Sequence, residues 1–474
     1  MTGRGLVRAL PPVLLTLLLS GCAVGPNYRR PAISAPESVR GQIGPAQAAS
    51  LADRAWWEIF QDETLQGLLD EALKNGYDVR LAAARVEEAR ANAGIARSAF
   101  YPQLGYQATW SRSRESEIFA PGVGTVSVHD VNLGLSWELD LWGRIRRSSE
   151  AALAQYLATE DARRGVLLAL VAEVATDYFE LRQLDLRLEI ARRTRTAFQE
   201  TYDLFNRRLQ AGMASSLETA SAEASLAVVA GQVPQLESQV VALENAMGLL
   251  LGRNPGPIAR GAALTEQFLP PELPAGLPAD LLRRRPDVRQ AEQQLVAANA
   301  AVGVAMASFF PTISLTGAFG GVSSDVSTLF SDGKTWSIAA GLTGPIFQGL
   351  RLKNQYDARV AQWEQAKTQY EKTVTNAFIE ASTAIVAHQK LAEAEREQAR
   401  AVAAYRQAVT LSNDRYVAGF ASYLDVLQAE QNLFPAENAL AQLRFNRLAN
   451  FVQLYKALGG GWNLENPTWA RPGS

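Results

Sequence analysis

The stretch Arg208–Glu218 reads Arg-Leu-Gln-Ala-Gly-Met-Ala-Ser-Ser-Leu-Glu, and it returns at Arg415–Asp425 as Arg-Tyr-Val-Ala-Gly-Phe-Ala-Ser-Tyr-Leu-Asp. Gly212 and Gly419 stand 207 residues apart, and the same step carries Asn206 onto Asn413 and Leu251-Gly252 onto Leu458-Gly459. Earlier in each half, Asp78-Val79-Arg80 matches Asp287-Val288-Arg289, and Phe100-Tyr101-Pro102 matches Phe309-Phe310-Pro311. Those earlier pairs stand 209 apart, two residues from the step at the tips, and similarity at so nearly constant a step marks a duplicated unit.

Each copy of the stretch is a stop signal followed by a start signal. Gly212 and Gly419 suit the left-handed position that ends a helix. Ser215-x-x-Glu218 and Ser422-x-x-Asp425 then have the form of a capping box opening the next helix. The spacing predicts two tight helical hairpins with tips at Gly212 and Gly419.

Outward from the tips, the pattern is helical and long. From about Arg146 to Gln210 there is no proline, and residues 350–418 repeat this. Each run extends on the order of 100 Å at about 1.5 Å per residue. Val374, Phe378, Ala381 and Ile385 step by four, three and four, as do Leu236, Val240, Leu243, Met247 and Leu250 on a returning helix, which is coiled-coil spacing. His388 continues the first stripe and reads as a packed interface residue. Pro234 and Pro435 fall inside the returning helices, where a kink or break is expected.

Upstream of each long helix the period changes to two. Leu104, Tyr106, Ala108 and Trp110 alternate with polar or small residues, as do Val131, Leu133, Leu135, Trp137 and Leu139. The second half repeats this with Ile313, Leu315, Gly317 and Phe319, then Trp336, Ile338, Ala340 and Leu342. Segments of about ten residues with one apolar and one polar face match membrane barrel strands. A half-buried soluble sheet shows the same alternation, but these hairpins are inserted between long helices with no other sheet to cover them. Four strands cannot close, and an open edge in lipid costs several kcal/mol per unsatisfied backbone group. Two copies would give about eight strands, whose interior fills with side chains, whereas three would give about twelve and leave a lumen. A wet channel therefore favours a trimer. Tyr101, Trp110, Trp137, Trp336 and Phe347 lie near strand ends, suited to interfacial girdles or to ordinary strand packing.

Composition narrows the function. Among 474 residues the formal charge is −2, with no basic footprint for nucleic acid. Two histidines and one cysteine leave little for a transition-metal site. No nucleophile elbow, paired histidines or phosphate loop is present, so no catalytic residue, cofactor or metal is assigned, and an enzyme is not expected. Met1–Gly21 reads as a secretory signal, with Arg4 and Arg8 before the apolar Val13–Leu19. It ends in Leu19-Ser20-Gly21-Cys22, which resembles a bacterial lipobox, so Cys22 is the expected lipidation site. Ala23 after it resembles the sorting signal for the outer membrane.

Taken together, the chain resembles the TolC-like family of outer-membrane efflux channels, in the lipoprotein branch that partners resistance-nodulation-division (RND) pumps. The residues that carry this are Cys22-Ala23-Val24-Gly25-Pro26-Asn27-Tyr28, Trp56-Trp57, Arg285-Pro286-Asp287-Val288-Arg289, Tyr416-Val417-Ala418-Gly419 and Leu424-Asp425-Val426-Leu427. The resemblance implies a mainly α fold with a transmembrane β portion: a homotrimer whose strands form one twelve-stranded barrel joined to an α-helical periplasmic tunnel. It implies a signal peptide at 1–21, a lipidated extended segment at 22–61, and a first repeat at 62–253. A Pro/Gly-rich link at 254–278 lies in an equatorial domain, followed by a second repeat at 279–458 and a tail at 459–474. The implied function is a passive exit duct in the outer membrane of a Gram-negative cell, for drugs or other small solutes delivered by an inner-membrane pump through a periplasmic adaptor. The tips at Gly212 and Gly419 are the ends an adaptor would grip. Tyr416 and Asp425 match positions at the periplasmic gate, with Leu424, Arg415 and Glu218 as further candidates. Three copies of Asp425 would make an acidic ring, or Asp425 and Glu218 simply cap their helices. Gln428 stands where the family commonly has a second acid, which weakens a double-carboxylate gate. Arg208 and Arg415 either tie neighbouring hairpins or sit as solvated charges. The rival functions are a duct for type I protein secretion and a non-conducting structural envelope lipoprotein.

Overall fold

The computed structural model describes residues 23–33, 40, 54–116, 118–119, 121–267 and 282–460. The expected signal peptide, Cys22, most of the lead-in between 34 and 53, part of the link and nearly all of the tail lie outside the described residues.

The elements run in duplicate. A helical turn α1 (Trp56–Ile59) leads into α2 (Glu63–Asn75) and α3 (Tyr77–Ser98). Strands β1 (Gln103–Arg114) and β2 (Thr125–Leu139) follow, then α4 (Arg144–Gln210) and α5 (Ser216–Leu250). The second half gives α6 (Pro286–Ala307), β3 (Thr312–Ser323), β4 (Lys334–Thr343), α7 (Arg351–Val417) and α8 (Tyr423–Ala457). The outgoing helices α4 and α7 have 67 residues each, and the returning helices α5 and α8 have 35 each. The duplication read from short motifs thus extends to element lengths.

The described residues fall into two compact units. The first comprises residues 1–32, 85–160 and 290–371 and holds the sheet. All four strands form one antiparallel sheet in the order β1-β2-β3-β4, so each half supplies a hairpin and β2–β3 joins the halves. The second unit comprises 33–84, 161–289 and 372–474. Its core gathers Trp56, Phe60, Leu65 and Leu69 against Tyr178, Phe179, Met247, Phe451 and Tyr455. Phe60 sits at the centre, with ring centroids of Phe179, Phe451 and Tyr455 at 6.2–6.3 Å. The aromatic run after the lead-in therefore docks through Trp56 and Phe60, and α1 is a helical turn where an extended chain was expected.

Two polar hubs organise this unit. Asp62 caps α2 by accepting from the amides of Thr64 and Leu65, and its other oxygen accepts from the Tyr178 hydroxyl at 2.7 Å, the Ala262 amide and Gln267. Burial opposes its charge, but these donors outweigh burial and hold the carboxyl below its usual range. Arg285 accounts for the Arg285-Pro286-Asp287 motif. Its guanidinium is nearly buried, donates to the carbonyl of Ala457 near the end of α8 at 3.0 Å, and pairs with Asp287 and Glu380.

Of the kink or break expected at the two prolines, the break does not occur. α5 runs through Pro234 and α8 runs through Pro435, with no break in either. Proline removes one amide donor and crowds the carbonyl four residues back. Here buried neighbours hold the helix on both sides: Val229, Val233 and Leu236 around the first proline, Ala436 and Leu440 beyond the second. Packing outweighs the local penalty.

His388 lies half-buried on α7, and burial followed by the nearby Arg447 keeps its imidazole pKa below the ordinary value.

Candidate channel and gate

The strand register sorts the sheet into two faces. Leu104 pairs with Leu135, which pairs with Gly317, which pairs with Ile338; two residues further along, Tyr106, Leu133, Phe319 and Trp336 line up likewise. Flanking these rows, on the opposite face, Gln107 stands against Asn132 and Gln103 against Ser136, which stands against Thr316. Tyr106 is 84% exposed, Trp336 75% and Ile338 81%, so the apolar rows have no protein cover within the chain. A contiguous apolar face opposite a polar one fits lipid on one side and water on the other. Among the described residues β1 pairs only with β2 and β4 only with β3, leaving two edges to be satisfied.

The aromatic candidates frame these strands. Tyr101 precedes β1 and is exposed, Trp110 pairs with His129 towards the far end of β1, Trp336 lies in the apolar row, and Phe347 is exposed beyond β4. Trp137 donates to the carbonyl of Phe100 at 3.0 Å. Trp142, not singled out in the sequence, donates to the carbonyl of Pro311 at 2.7 Å and stacks on Phe310 at 4.9 Å. The repeated Phe-Pro motif before each first strand was the signal that could have pointed to it.

The hairpin tips are built alike. Gly212 has φ of 69° and Gly419 of 79°, and each closes a Schellman motif. The Met213 amide donates to the Arg208 carbonyl and the Gly212 amide to Leu209; the Phe420 and Gly419 amides do the same to Arg415 and Tyr416. After the turn, Ser215 and Glu218 form a reciprocal capping box, with the Ser215 amide donating to Glu218 at 2.8 Å. That amide, and then the Ser215 hydroxyl, hold the Glu218 carboxyl below its usual range. In the second hairpin the Ser422 amide and hydroxyl donate to Asp425 at 3.0 and 3.1 Å. Both candidate acids are thus engaged with the first turn of their own helices.

Near the tips a cluster of aromatic rings crosses between the hairpins. Arg208 of α4 donates to the Tyr416 hydroxyl of α7, and its guanidinium carbon lies 5.6 Å from the Tyr416 ring centroid. Tyr416 meets Tyr423 edge-on at 5.2 Å, and Tyr423 in turn meets Phe205 at 4.6 Å. The Tyr423 hydroxyl donates to Thr201 at 2.6 Å; burial, with Glu430 and Tyr416 adding to it, pushes this phenol up to about 12. Arg415, in contrast, stays on its own hairpin and donates to the Phe420 carbonyl at 3.4 Å. The two arginines, alike in sequence, therefore differ in role. Thr201, Phe205 and Tyr423 escaped the sequence reading because contact between hairpins leaves no local pattern. At the outer ends Met213, Leu217, Val417, Phe420 and Leu424 are largely exposed, an apolar rim at both tips.

A family model described as outer membrane efflux protein matches residues 68–253 and 277–460. The chain belongs to the outer membrane efflux protein family. It is 37% identical over 464 residues to the solvent efflux pump outer membrane protein SrpC of Pseudomonas putida, covering 96% of this chain and 98% of that protein. It is 34% identical over 458 residues to the cation efflux system protein CusC of Escherichia coli K12, covering 95% and 99%. Among solved structures, the open state of the Neisseria gonorrhoeae MtrE outer membrane channel aligns with a TM-score of 0.84 at 33% identity, covering 93% of this chain and 98% of that one.

In this outer membrane efflux protein the N-terminal residues are strapped beside the sheet. The Val24 amide donates to the Trp142 carbonyl at 3.0 Å, just past β2. Arg147 of α4 donates to Asn27 at 2.7 Å, and Asn299 of α6 to the Pro26 carbonyl at 2.9 Å. Arg30 pairs with Glu292, which also accepts from Tyr28 at 3.2 Å. Ala23 thus lies against Gly143 at the root of α4. Cys22 itself is outside the described residues.

Proposed function

We propose that this protein is the outer-membrane channel of a tripartite efflux system, a passive exit duct for small solutes. The observation that carries the reading is the four-stranded sheet with one apolar face, one polar face and two open edges. An edge in hydrocarbon leaves backbone groups that cost several kcal/mol each, so the sheet has to continue into other copies. Three copies make a twelve-stranded barrel whose polar faces enclose a lumen. On this reading the protein is a homotrimer that spans the outer membrane and is also anchored to its lipid through acyl groups on Cys22. Several acyl chains hold stably where one does not, and the strap at residues 23–30 fixes the anchor near the strand ends. A periplasmic adaptor grips the apolar rim at Gly212 and Gly419, and an RND-type inner-membrane pump supplies solute and energy. No cofactor or metal enters this scheme.

The gate lies at the same tips. Arg208 bonded to Tyr416 joins the two hairpins, Asp425 of three protomers forms an acidic ring, and Leu424 lies beside it. Planar-bilayer recordings of the purified lipoprotein, wild type against Tyr416→Phe combined with Asp425→Ala, test the scheme. Small cation-selective currents that grow in the variant are the expected result. Currents indifferent to the variant would return Asp425 to a helix cap, and no conductance from an intact oligomer would remove the duct.

A further inference from the structure

A cavity of about 290 Å³ opens between α4, α7 and α8 within the second unit. Its walls are apolar at Phe198 and Phe434 and charged at Arg193, Arg406, Glu430 and Glu437. The charges are unevenly matched. Glu437, only 5% exposed, accepts from Arg193 at 2.5 Å and from Arg406 at 2.7 and 3.0 Å, so two half-exposed guanidiniums pair with one carboxylate. Glu430 has no such support: its Oε2 is buried and meets no hydrogen-bond donor among the described residues. A buried acceptor left unmatched is destabilising, because it has given up water without gaining a donor.

We propose that this cavity binds a small lipophilic ammonium ion, its charge paired with the Glu430 carboxylate and its hydrocarbon against Phe198 and Phe434. The ammonium supplies the donor that Glu430 lacks, and aromatic faces attract cations as well as apolar surface. An organic anion would bring its charge against the lone pairs of Glu430, where an ammonium brings a donor. The site lies in the helical wall, is distinct from the tip residues, and does not depend on conduction.

Binding is linked to a proton. Burial pushes the Glu430 carboxyl up to about 7, and the ammonium pairs with its ionised form. The charged and titratable groups facing Glu430 are Arg193 from α4, Arg406 from α7, and Tyr423 and Glu437 from α8. Guanidiniums as a class keep their charge at any working pH, and Tyr423 is pushed up to about 12. Proton competition near neutrality is therefore assigned to Glu430.

The test is calorimetric titration of the full chain in lipid nanodiscs, with empty nanodiscs subtracted. The probes are N-methyl-1-naphthalenemethylamine and 1-naphthaleneacetate, a cation and an anion on the same ring. The amine should bind and the acetate should not. Amine affinity should fall about tenfold for each pH unit below about 7. Glu430→Gln should weaken it at least tenfold and flatten the pH profile, while Phe434→Ala should weaken it and leave the pH profile intact. Size exclusion of each variant reports whether the oligomer still forms. Equal binding of both probes, a flat wild-type profile, or full affinity in Glu430→Gln would each overturn the proposal.

Discussion

Asp62 concentrates more of the second unit's polar order than any motif suggests. Its two oxygens receive the amides of Thr64, Leu65 and Ala262, the Tyr178 hydroxyl and the Gln267 side chain. Only the cap on α2 was open to local reading, because Asp before Glu-Thr-Leu is a helix-start signal. The partners from residues 178 and 262–267 arrive through the fold and leave no mark in the sequence. Replacing Asp62 by Ala strands these donors together, which should cost on the order of 3 kcal/mol. The pH dependence follows from the depressed carboxyl. A group whose folded pKa lies below the unfolded value near 3.9 contributes stability that is complete above about pH 4, and this is lost as pH falls through the lower folded value. Unfolding by denaturant should therefore separate wild type from Asp62→Ala at pH 6 and bring them together at acid pH. A gap that stays constant down to strong acid would contradict the assigned ionisation.

At the scale of elements, the tips were legible, whereas the continuation of the helices through their prolines was not. Gly212 and Gly419 stop helices for a reason confined to one residue, since left-handed backbone costs an L side chain roughly 1–2 kcal/mol. The turn needs that conformation whatever surrounds it, so the motif reads directly. Pro234 and Pro435 also carry a local penalty, yet α5 and α8 continue through them because flanking residues are buried against other helices. A local rule holds where nothing distant opposes it. Gly212→Ala should therefore loosen the Schellman bonds by about 1 kcal/mol, which is close to a fivefold rise in exchange. Hydrogen exchange at the Gly212 and Met213 amides is the measurement. Unchanged protection there would mean that the Arg208 contact to Tyr416, rather than the turn, keeps the tip closed.

For the whole molecule, the duplication and the period-two segments gave the components, and the β2–β3 pairing that joins the halves came only with the structure. Each hairpin can be read locally, but Leu133 against Phe319 is a register set across nearly two hundred residues. That register turns four separate alternations into two continuous faces, and the faces make a directional prediction. Phe319 lies in the exposed apolar row, whereas Asn132 belongs to the opposite face, against Gln107. If the apolar row meets lipid, Phe319→Arg places a charge in hydrocarbon at about 2–4 kcal/mol per copy near the midplane. Repeated in three copies, that penalty should sharply reduce the oligomer recovered from outer membranes. Asn132→Arg puts the same charge on the polar face, where water and neighbouring polar groups receive it, and oligomer yield should stay near wild type. The two variants introduce the same side chain and the same charge, so the comparison isolates the face. Equal losses would mean that both faces are covered by protein, and the sheet would then be half of a sandwich rather than a third of a barrel.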